Sequence, residues 1–441
     1  MDSRPRQFLR AWLPWSLLRY AGALAARGAE VIGKFGLYVL AARQMGGYES
    51  GLFFLCLTWV NLVSTAARLG LERAMSRHVA AELAVGNADA ARHVVKVGLA
   101  WTALGSTLAC GLTLAIAKIA AVQVFHQPGL AEPLQISAFI LPAQSLAYAL
   151  GFILIGLGRG VAGQMVQSAL PPLLSLGALI AGLHHVDSLL TAYAFSYGSC
   201  CCLGFGLLIH DWRHTMVPPL TQAPVSDPLP RLRTTAREFL VIEVVQSALL
   251  SLPVLVLGMF ADAVAVSAFS VAFRITSMIN TILISLAMIS APAFARHHRL
   301  REFEALRRVE RQTRLVSIVI CLPLIVVMMA FPRALLSLLG GDFTAASTAL
   351  VILTLGQIVN TLLPTQDMML AMTGHSRDLR RINIQQLVVC CLLCATLIPA
   401  FRLVGAATLA TICLIQGRVG FALAVRRAVP ELSAPPRPAT A

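Results

Sequence analysis

Seven ionisable residues lie within long apolar runs of this 441-residue chain, where the chemistry of charge is most constrained. They are the basic residues Arg27, Lys34, Arg274 and Arg418 and the acidic residues Glu30, Glu243 and Asp367. At the centre of a bilayer such a residue costs at least about 2.5–3.5 kcal/mol, so it faces a cavity or a partner. The basic residues outnumber the acidic ones. We therefore expect a cavity that suits an anion, to which arginine offers bidentate N–H donors.

The spacing of Arg27, Glu30 and Lys34 places all three on one face of a helix, because residues three and four apart are neighbours on the helix surface. That face is too polar for lipid, and we expect it to line a cleft. The same spacing also fits a purely structural Glu30–Lys34 pair, and Arg27 is near enough to the end of its run to extend to the interface. These interpretations stay open.

The other intramembrane charges differ in how readily a structural role explains them. Arg274 lies about eleven residues into its apolar run, near the midplane, and is the hardest to explain without a function. Arg418 is close enough to Arg426 to reach the interface. Glu243 and Asp367 are candidate pairing partners or ion-coupling carboxylates.

Neutral polar residues in the apolar runs could contact sugar hydroxyls. The leading candidates are Asn280, Gln357 and Asn360, and Asn61, Gln144, Gln164, Gln167, Gln246 and Gln366 have similar settings. Bundles of membrane helices also use such residues for interhelical hydrogen bonds, worth about 0.6 kcal/mol each on average. For any single residue, that structural role is the favoured interpretation.

The elements that position these residues follow from composition. Only 12% of the chain is charged and 57% is hydrophobic, with a mean hydropathy of +0.76, whereas soluble proteins carry about 25% charged residues. This excludes a soluble protein and a disordered one. Windows of about 20 apolar residues predict twelve transmembrane helices: 20–42, 50–68, 94–118, 133–157, 164–184, 188–210, 238–260, 264–290, 313–331, 347–372, 382–400 and 403–425.

The placement of the basic residues predicts the orientation. The chain has 35 Lys and Arg against 20 Asp and Glu. Of the 35, 27 lie in alternate segments on the side of the N-terminus, and the opposite side holds only Arg43, Lys118, Arg333 and Arg402. Positive charge accumulates in cytoplasmic loops, so both termini are predicted to be cytoplasmic. Because the charges are dispersed over many loops, nucleic acid is excluded as a partner.

The chain divides into two predicted six-helix lobes. We expect a cytoplasmic interfacial segment at 1–19, an N-lobe at 20–210, a proline-rich cytoplasmic linker at 211–237, a C-lobe at 238–427 and a disordered tail at 428–441. Six helices in each lobe give both lobes the same orientation, as in parallel repeats about an axis along the membrane normal. The predicted fold class is an all-α polytopic membrane protein, a 6+6 pseudo-repeat around a central cleft.

The sequence offers no site for covalent catalysis or for a metal. Its ten cysteines all lie in apolar runs, where they are expected to pack between helices. Cys391 and Cys394 have the CxxC spacing of a zinc site, but their flanking residues are apolar, so we expect no zinc there. HExxH, GxSxG and Walker A motifs are also absent. We therefore expect no cofactor, no metal and no enzymatic activity.

Several stretches resemble the polysaccharide flippases, the O-antigen translocases and lipid-linked oligosaccharide exporters of the multidrug/oligosaccharidyl-lipid/polysaccharide exporter superfamily. The stretches are Ala42–Gly51, Leu69–Arg73 with Ala80, Phe269–Ile275, Ala291–Ala295, Leu338–Phe343, Ala371–Gly374 and Leu403–Ala407. Each motif is short, but their order and spacing extend over most of the chain. The extra helix pair of some relatives is missing.

The resemblance implies a V-shaped, two-lobe protein that flips an undecaprenyl-pyrophosphate-linked glycan across the bacterial inner membrane by alternating access. It also implies cationic residues in the first and eighth spans, for which Arg27, Lys34 and Arg274 are the closest positions. The expected partners are the bilayer, the lipid-linked glycan, a coupling ion (H⁺ or Na⁺) and glycan polymerase or export machinery. Two alternatives remain: a cation-coupled multidrug antiporter of the same fold, and a membrane-embedded polymerase or glycosyltransferase.

Overall fold

The computed structural model describes residues 4–214 and 229–428, and within these ranges the chain is helical and forms no strand. The helices are α1 (Arg4–Ala67), α2 (Leu71–Ala84), α3 (Ala88–Ile119), α4 (Ala131–Ala138), α5 (Ile140–Gly156), α6 (Gly160–Gln164), α7 (Leu170–Ile180), α8 (Val186–His214), α9 (Leu229–Phe260), α10 (Ala263–Arg299), α11 (Phe303–Ala330), α12 (Pro332–Ser337), α13 (Ser347–Leu362), α14 (Gln366–Met372) and α15 (Ser376–Ala428). The predicted all-helical, multi-span fold class is confirmed.

Eight helical stretches in the described part of the chain are long and apolar enough to cross a membrane. Two of them, Ala25–Ala67 with 43 residues and Arg377–Ala428 with 52, are twice the length that one crossing needs. Each contains a break in the backbone. Gly46 has φ 76° and ψ 175° inside α1, and Arg402 has φ 46° and ψ −119° inside α15. These breaks coincide with the turns predicted between the first two and the last two spans.

The predicted fourth and fifth spans are each built from more than one helical segment. The helical stretch Pro128–Ala138 and α5 meet at an angle of 40°. A π-helical turn, Met165–Ala169, joins α6 to α7, directly before Pro171 and Pro172 in the first turn of α7. Proline has no N–H to donate to the preceding turn, so an irregular turn at this position is expected.

Unit 1 consists of Met1–Met45 and Cys56–Val244. Within it, glycines let α1 approach α7 closely. A Cβ atom at Gly33 would lie 3.0 Å from Leu173 Cγ, and one at Gly36 would lie 3.0 Å from Leu176 Cδ2. Small residues at helix contacts allow this approach in membrane bundles, where packing drives association. The contact sets the rotation of α1 about its own axis, and with it the direction in which the predicted charge cluster projects.

Unit 2 consists of Gly46–Leu55 and Val245–Ala441. The stretch Gly46–Leu55 of α1 packs against the start of α10. The Ser50 and Ser267 hydroxyl oxygens are 2.6 Å apart, and a Cβ atom at Gly51 would lie 1.9 Å from the Ala263 carbonyl oxygen. This division differs from the predicted lobes, 20–210 and 238–427, in assigning Gly46–Leu55 to the second unit and the first half of α9 to the first.

The helices extend into two segments predicted to lie outside the spans, the linker 211–237 and the interfacial helix within 1–19. α9 begins at Leu229, inside the predicted linker 211–237, because Pro230 lies in the first turn, where a missing N–H is tolerated. α1 begins at Arg4, so the predicted interfacial segment 1–19 continues into the first span, and no glycine, asparagine or proline occurs between Trp15 and Ala21 to end it. Residues 215–228, and all but the first residue of the predicted tail 428–441, lie outside the described ranges.

Candidate functional site

The predicted charge face of α1 is organised around the Glu30 carboxylate. Glu30 accepts hydrogen bonds from Arg27 Nη1 at 2.8 Å and from Lys34 Nζ at 2.7 Å. A third donor, Gln164 Nε2 of α6, lies 2.6 Å from the same carboxylate. We call Arg27, Glu30, Lys34 and Gln164 the Glu30 cluster. The spacing predicted the contacts of Arg27 and Lys34 with Glu30, whereas Gln164 comes from a distant part of the chain.

Burial within the Glu30 cluster is uneven. The Glu30 side chain is 11% exposed, whereas those of Arg27 and Lys34 are 43% and 40% exposed. One buried anion therefore holds two cations that both reach the helix surface, and the face carries a net positive charge. A face with this charge on a helix that can cross a membrane suits an anionic ligand better than lipid.

Gln164 has a special position in the backbone. It is the last residue of α6, and the π-helical turn Met165–Ala169 follows it. Its side-chain Nε2 also donates to the Ser168 hydroxyl at 2.9 Å, and its side-chain Oε1 accepts from Gln167 Nε2 at 3.2 Å. Single π turns inside α-helices are frequent at functional sites. Here the π turn carries the polar side chains that extend the Glu30 cluster.

Unit 2 pairs two of the other predicted charges. Arg418 Nη1 lies 3.1 Å from Asp367 Oδ1, which joins α15 to α14. The arginine side chain is 10% exposed and the aspartate side chain 37%. Asp367 Oδ1 also accepts a hydrogen bond from the backbone N–H of Met368 at 2.9 Å. The charge of Arg418 is thus compensated inside unit 2.

The three predicted sugar contacts lie together in unit 2, and we call them the amide cluster. Asn360 Nδ2 donates to Gln357 Oε1 at 2.8 Å and to Asn280 Oδ1 at 3.3 Å. Asn280 and Gln357 also line a cavity of about 130 Å³, together with Gln386 and Ser277. Leucine and other apolar side chains form most of the remaining lining, so the few amide and hydroxyl groups are the ones that can donate to and accept from hydroxyl groups of a ligand.

Arg274 lies on α10 beside this cavity. Phe273 and Ser277 line the cavity, and the Ser277 hydroxyl donates to the Arg274 carbonyl oxygen at 2.7 Å. The Arg274 side chain is partly buried. The described lining of the cavity does not include Arg274, so the structure places it next to the amide cluster and not within it.

A second charge network, which the sequence did not indicate, lies in unit 1. Arg68 and Glu72 form an ion pair in which both side chains are at least 93% buried. The Arg68 guanidinium also lies 4.6 Å from the centre of the Tyr148 ring, a cation–π distance. Arg68 is one of the 27 basic residues whose placement predicts the orientation. Its spacing of four residues from Glu72 was the available signal.

Glu243, the remaining predicted carboxylate, is joined to this region. Its Oε1 lies 2.6 Å from Nε of Arg73, and the two side chains are 14% and 44% exposed. Glu243 and Arg73 belong to the same unit, on α9 and α2. A carboxylate in this arrangement is held as an ion pair between two helices.

The described residues include no group of three or more His, Cys, Asp or Glu side chains that could hold a metal ion. All ten cysteines are unpaired, and eight of them are buried. The eight buried ones agree with the helix-packing role that their sequence context predicts, whereas Cys202 and Cys391 are exposed. The chemistry of the site therefore rests on charge pairs and amide groups.

Comparisons with known proteins agree with the resemblance seen in the sequence. A family profile described as polysaccharide biosynthesis protein matches residues 23–298, more than half of the chain, and one described as MatE matches residues 239–396. Comparison with curated proteins gives no match.

Solved structures show the fold. Lipid II flippase MurJ, in an inward closed conformation, has a TM-score of 0.73 at 12% identity over 95% of this chain and 90% of its own. A multidrug resistance MATE family transporter of the MOP superfamily, inward-facing, has a TM-score of 0.70 at 14% identity over 94% and 99%. A MOP superfamily transporter from Pyrococcus furiosus has a TM-score of 0.62 at 16% identity over 94% and 96%. The chain thus belongs to the polysaccharide biosynthesis protein family and has the helical fold of the MOP superfamily.

Proposed function

We propose that this protein flips a polyprenyl-pyrophosphate-linked oligosaccharide, a repeat unit of O-antigen or exopolysaccharide, from the cytoplasmic to the periplasmic leaflet of a bacterial inner membrane. Transport proceeds by alternating access, with both termini in the cytoplasm. The pyrophosphate is held by cationic side chains, and the glycan by neutral polar ones. The polyprenyl chain stays in the bilayer throughout.

The observation that carries this proposal is the net positive charge of the Glu30 cluster. Two cations, Arg27 and Lys34, contact one buried carboxylate on a helix that is long and apolar enough to cross a membrane. A protein whose substrates were cationic would need the opposite balance. A pyrophosphate neutralises such a surplus, and in a site of low dielectric this attraction is stronger than in water.

The amide cluster gives the proposal a place for sugar hydroxyls. Asn280 and Gln357 line a cavity in unit 2, and Asn360 holds both of their carbonyl oxygens. Arg274, three residues before the cavity-lining Ser277 on α10, is the candidate phosphate-binding cation of unit 2. Asp367 neutralises the charge of Arg418, so Arg418 is less suited to bind the substrate. The ion pair instead favours a structural role, in which it holds α14 against α15.

A cation-coupled multidrug antiporter is the second candidate. It is favoured by the MatE profile over residues 239–396 and by the multidrug transporters among the similar structures. An antiporter for cationic drugs would place unpaired carboxylates at its site. Here Glu30, Glu243 and Asp367 each contact a basic side chain, which argues for the flippase. A membrane-embedded polymerase or glycosyltransferase is a third, less favoured candidate. Among the described residues, no extramembrane domain accompanies the helices.

The test is export of a lipid-linked glycan by variants that express normally. Lys34→Met and Arg274→Ala should each abolish export in a complementation assay, and Lys34→Arg should retain most of it. Lys118→Met is the matched control, because Lys118 is exposed at the end of α3, away from the Glu30 cluster. Normal export by Lys34→Met at wild-type membrane levels, or drug efflux that depends on Lys34 without any glycan export, contradicts the proposal.

H⁺ or Na⁺ is the expected coupling ion, and polymerase or export machinery is the expected protein partner. Both follow from the proposed transport reaction. Reconstituted vesicles with imposed H⁺ or Na⁺ gradients distinguish the two ions. If export in such vesicles is the same with and without either gradient, no ion is coupled.

A further inference from the structure

One end of unit 2 carries a dense group of exposed arginines, which we call the arginine face. Its ten members are Arg296, Arg299, Arg301, Arg308, Arg311, Arg377, Arg380, Arg381, Arg426 and Arg427. They come from the end of α10, the start of α11 and both ends of α15. Three distant parts of the chain therefore contribute to one surface.

An apolar core beneath the arginine face holds these helix ends together. Phe294 of α10, Leu306 of α11 and Phe421 and Val425 of α15 are buried in one cluster. Leu379, at the other end of α15, packs against the same cluster. Because this core is continuous, the arginines project from a fixed platform, and binding to them costs less ordering entropy than binding to a flexible tail.

The charge of the arginine face is not neutralised from within. The described helix ends that form it expose the carboxylates Glu302, Glu304 and Asp378, and Glu302 contacts His297 at 2.7 Å. None of the ten arginines is paired with a described carboxylate. All three lysines of the chain, Lys34, Lys96 and Lys118, belong to unit 1. The ten cations of the face are therefore all guanidinium groups, which bind phosphate through two parallel N–H donors.

The apolar surface next to the arginine face fixes its depth in the membrane. On three helix ends an exposed arginine lies one turn from an exposed apolar side chain. The pairs are Arg311 and Leu315, Arg381 and Ile384, and Arg426 and Leu423. One turn is about 5.4 Å. A helix surface that exposes leucine and isoleucine is in contact with hydrocarbon, so arginines one turn away lie in the headgroup layer.

We propose that the arginine face binds the phosphate groups of anionic membrane lipids and so anchors this end of unit 2 in the headgroup layer. Clusters of four to eight basic residues beside a membrane helix bind anionic lipid, with about tenfold or less gained per charge. The excess of basic residues that sets the orientation of a membrane protein depends only on how many charges a loop carries. It does not require that they project from one rigid surface. The proposal is independent of what the protein transports.

The test compares two full-length variants with the same loss of charge. The face variant carries Arg299→Gln, Arg301→Gln, Arg308→Gln and Arg311→Gln. The control variant carries Arg43→Gln, Lys118→Gln, Arg333→Gln and Arg402→Gln, all exposed positions in other segments. Purified protein in neutral detergent is titrated with phosphatidylglycerol or phosphatidylcholine. Bound lipid is counted by native mass spectrometry, and gel filtration verifies the fold.

The face variant should bind phosphatidylglycerol at least about tenfold more weakly than the wild type, and the control variant should stay within about twofold. Phosphatidylcholine should bind all three proteins alike. Equal phosphatidylglycerol affinity in the two variants overturns the proposal. Displacement of the lipid by an equal concentration of glycerol phosphate overturns it as well, because the face would then be a site for a soluble phosphate. The proposal is also overturned if the face variant loses a co-purifying acidic protein while its lipid binding is unchanged.

Discussion

The Arg73 guanidinium and the Glu243 carboxylate form an ion pair of 2.6 Å that joins α2 to α9 within unit 1. The pair is one of several contacts along the same side of α9. His78 Nε2 lies 3.2 Å from Thr235 Oγ1, and Gly70 packs directly against the α9 backbone. α2 therefore holds the first half of a helix whose second half, from Val245, belongs to unit 2. The attachment of this half of α9 to α2 is open to test.

Substituting only Arg73 should lower the stability of the protein more than substituting Arg73 and Glu243 together. Arg73→Ala leaves the Glu243 carboxylate, 14% exposed, without its contact, and should lower stability by about 1–3 kcal/mol. The double variant Arg73→Met/Glu243→Leu removes both charges and should recover most of the loss. Thermal unfolding in detergent measures both. A double variant no more stable than Arg73→Ala would show that the pair itself is not what holds α9.

Two glycines with the same backbone conformation separate crowding from backbone strain. Gly70 has φ +68° and Gly158 has φ +82°. A Cβ atom at Gly70 would lie 2.3 Å from the Ala236 carbonyl oxygen, whereas the space at Gly158 is open. Gly158→Ala should cost about 1–2 kcal/mol from its left-handed conformation. Gly70→Ala adds a clash with backbone that cannot move aside, and should cost roughly 2–4 kcal/mol in total.

Unfolding temperatures of the two glycine variants provide the comparison. If the two variants have equal unfolding temperatures, α2 and α9 separate readily at Gly70. The α2–α9 attachment would then be loose in solution, whatever the effect of the Arg73–Glu243 pair.

Local spacing explains what could be predicted from the sequence. The spans follow from apolar windows. The contacts of Glu30 with Arg27 and Lys34 follow from the helical repeat, because all three residues lie within two turns. The partners Gln164 and Arg73 could not be predicted, because each comes from a distant element and only tertiary packing brings it near Glu30 or Glu243. The Gly46 break has a local cause in glycine, whereas the positive φ of Arg402 contradicts its residue type.

His78 should make unit 1 sensitive to acid. It lies on α2, outside the candidate spans, where burial and then the charge of Arg77 lower the pKa of its imidazole from the ordinary 6.5. The folded protein then holds this proton less tightly than the unfolded chain. The stability present above pH 6.5 is therefore lost as the pH falls through the folded-state pKa. His78→Gln keeps a polar partner for Thr235 without titrating.

The expected result is a smaller fall in unfolding temperature between pH 7 and pH 5 for His78→Gln than for the wild type. His93→Gln is the control, since His93 is exposed. If the two glutamine variants and the wild type lose the same stability over this range, the acid sensitivity originates elsewhere.

The Arg418–Asp367 pair should respond asymmetrically to substitution. Asp367→Ala leaves a guanidinium with only 10% of its side chain exposed and no carboxylate nearby, which we expect to cost about 2 kcal/mol or more. Arg418→Met removes the buried charge and fills similar space, while the 37% exposed Asp367 can be hydrated. Its cost should be smaller. Thermal unfolding measures the loss of stability in the two variants. A larger loss for Arg418→Met than for Asp367→Ala contradicts this account of their burial.

Glu30 competes with the proposed substrate for the same cations. Its carboxylate lies 2.7 Å from Lys34 Nζ and 2.8 Å from Arg27 Nη1, so a pyrophosphate must share or replace these contacts. Glu30→Gln keeps the shape of the side chain and removes its charge. We expect this variant to bind a polyprenyl-pyrophosphate probe about tenfold more tightly, a gain of about 1.4 kcal/mol. Release should be slower by a similar factor, since changes in affinity act mainly on dissociation.

Measurements of probe binding and of flipping on the same reconstituted Glu30→Gln protein test this competition. Tighter binding with slower flipping means that Glu30 returns the cations to their resting contacts after each cycle. Weaker binding would mean that the carboxylate orients Arg27 and Lys34 for the substrate, and the competition argument would then be wrong. Gln164→Leu removes the third hydrogen bond to Glu30 without changing charge, and should therefore alter affinity by less than threefold.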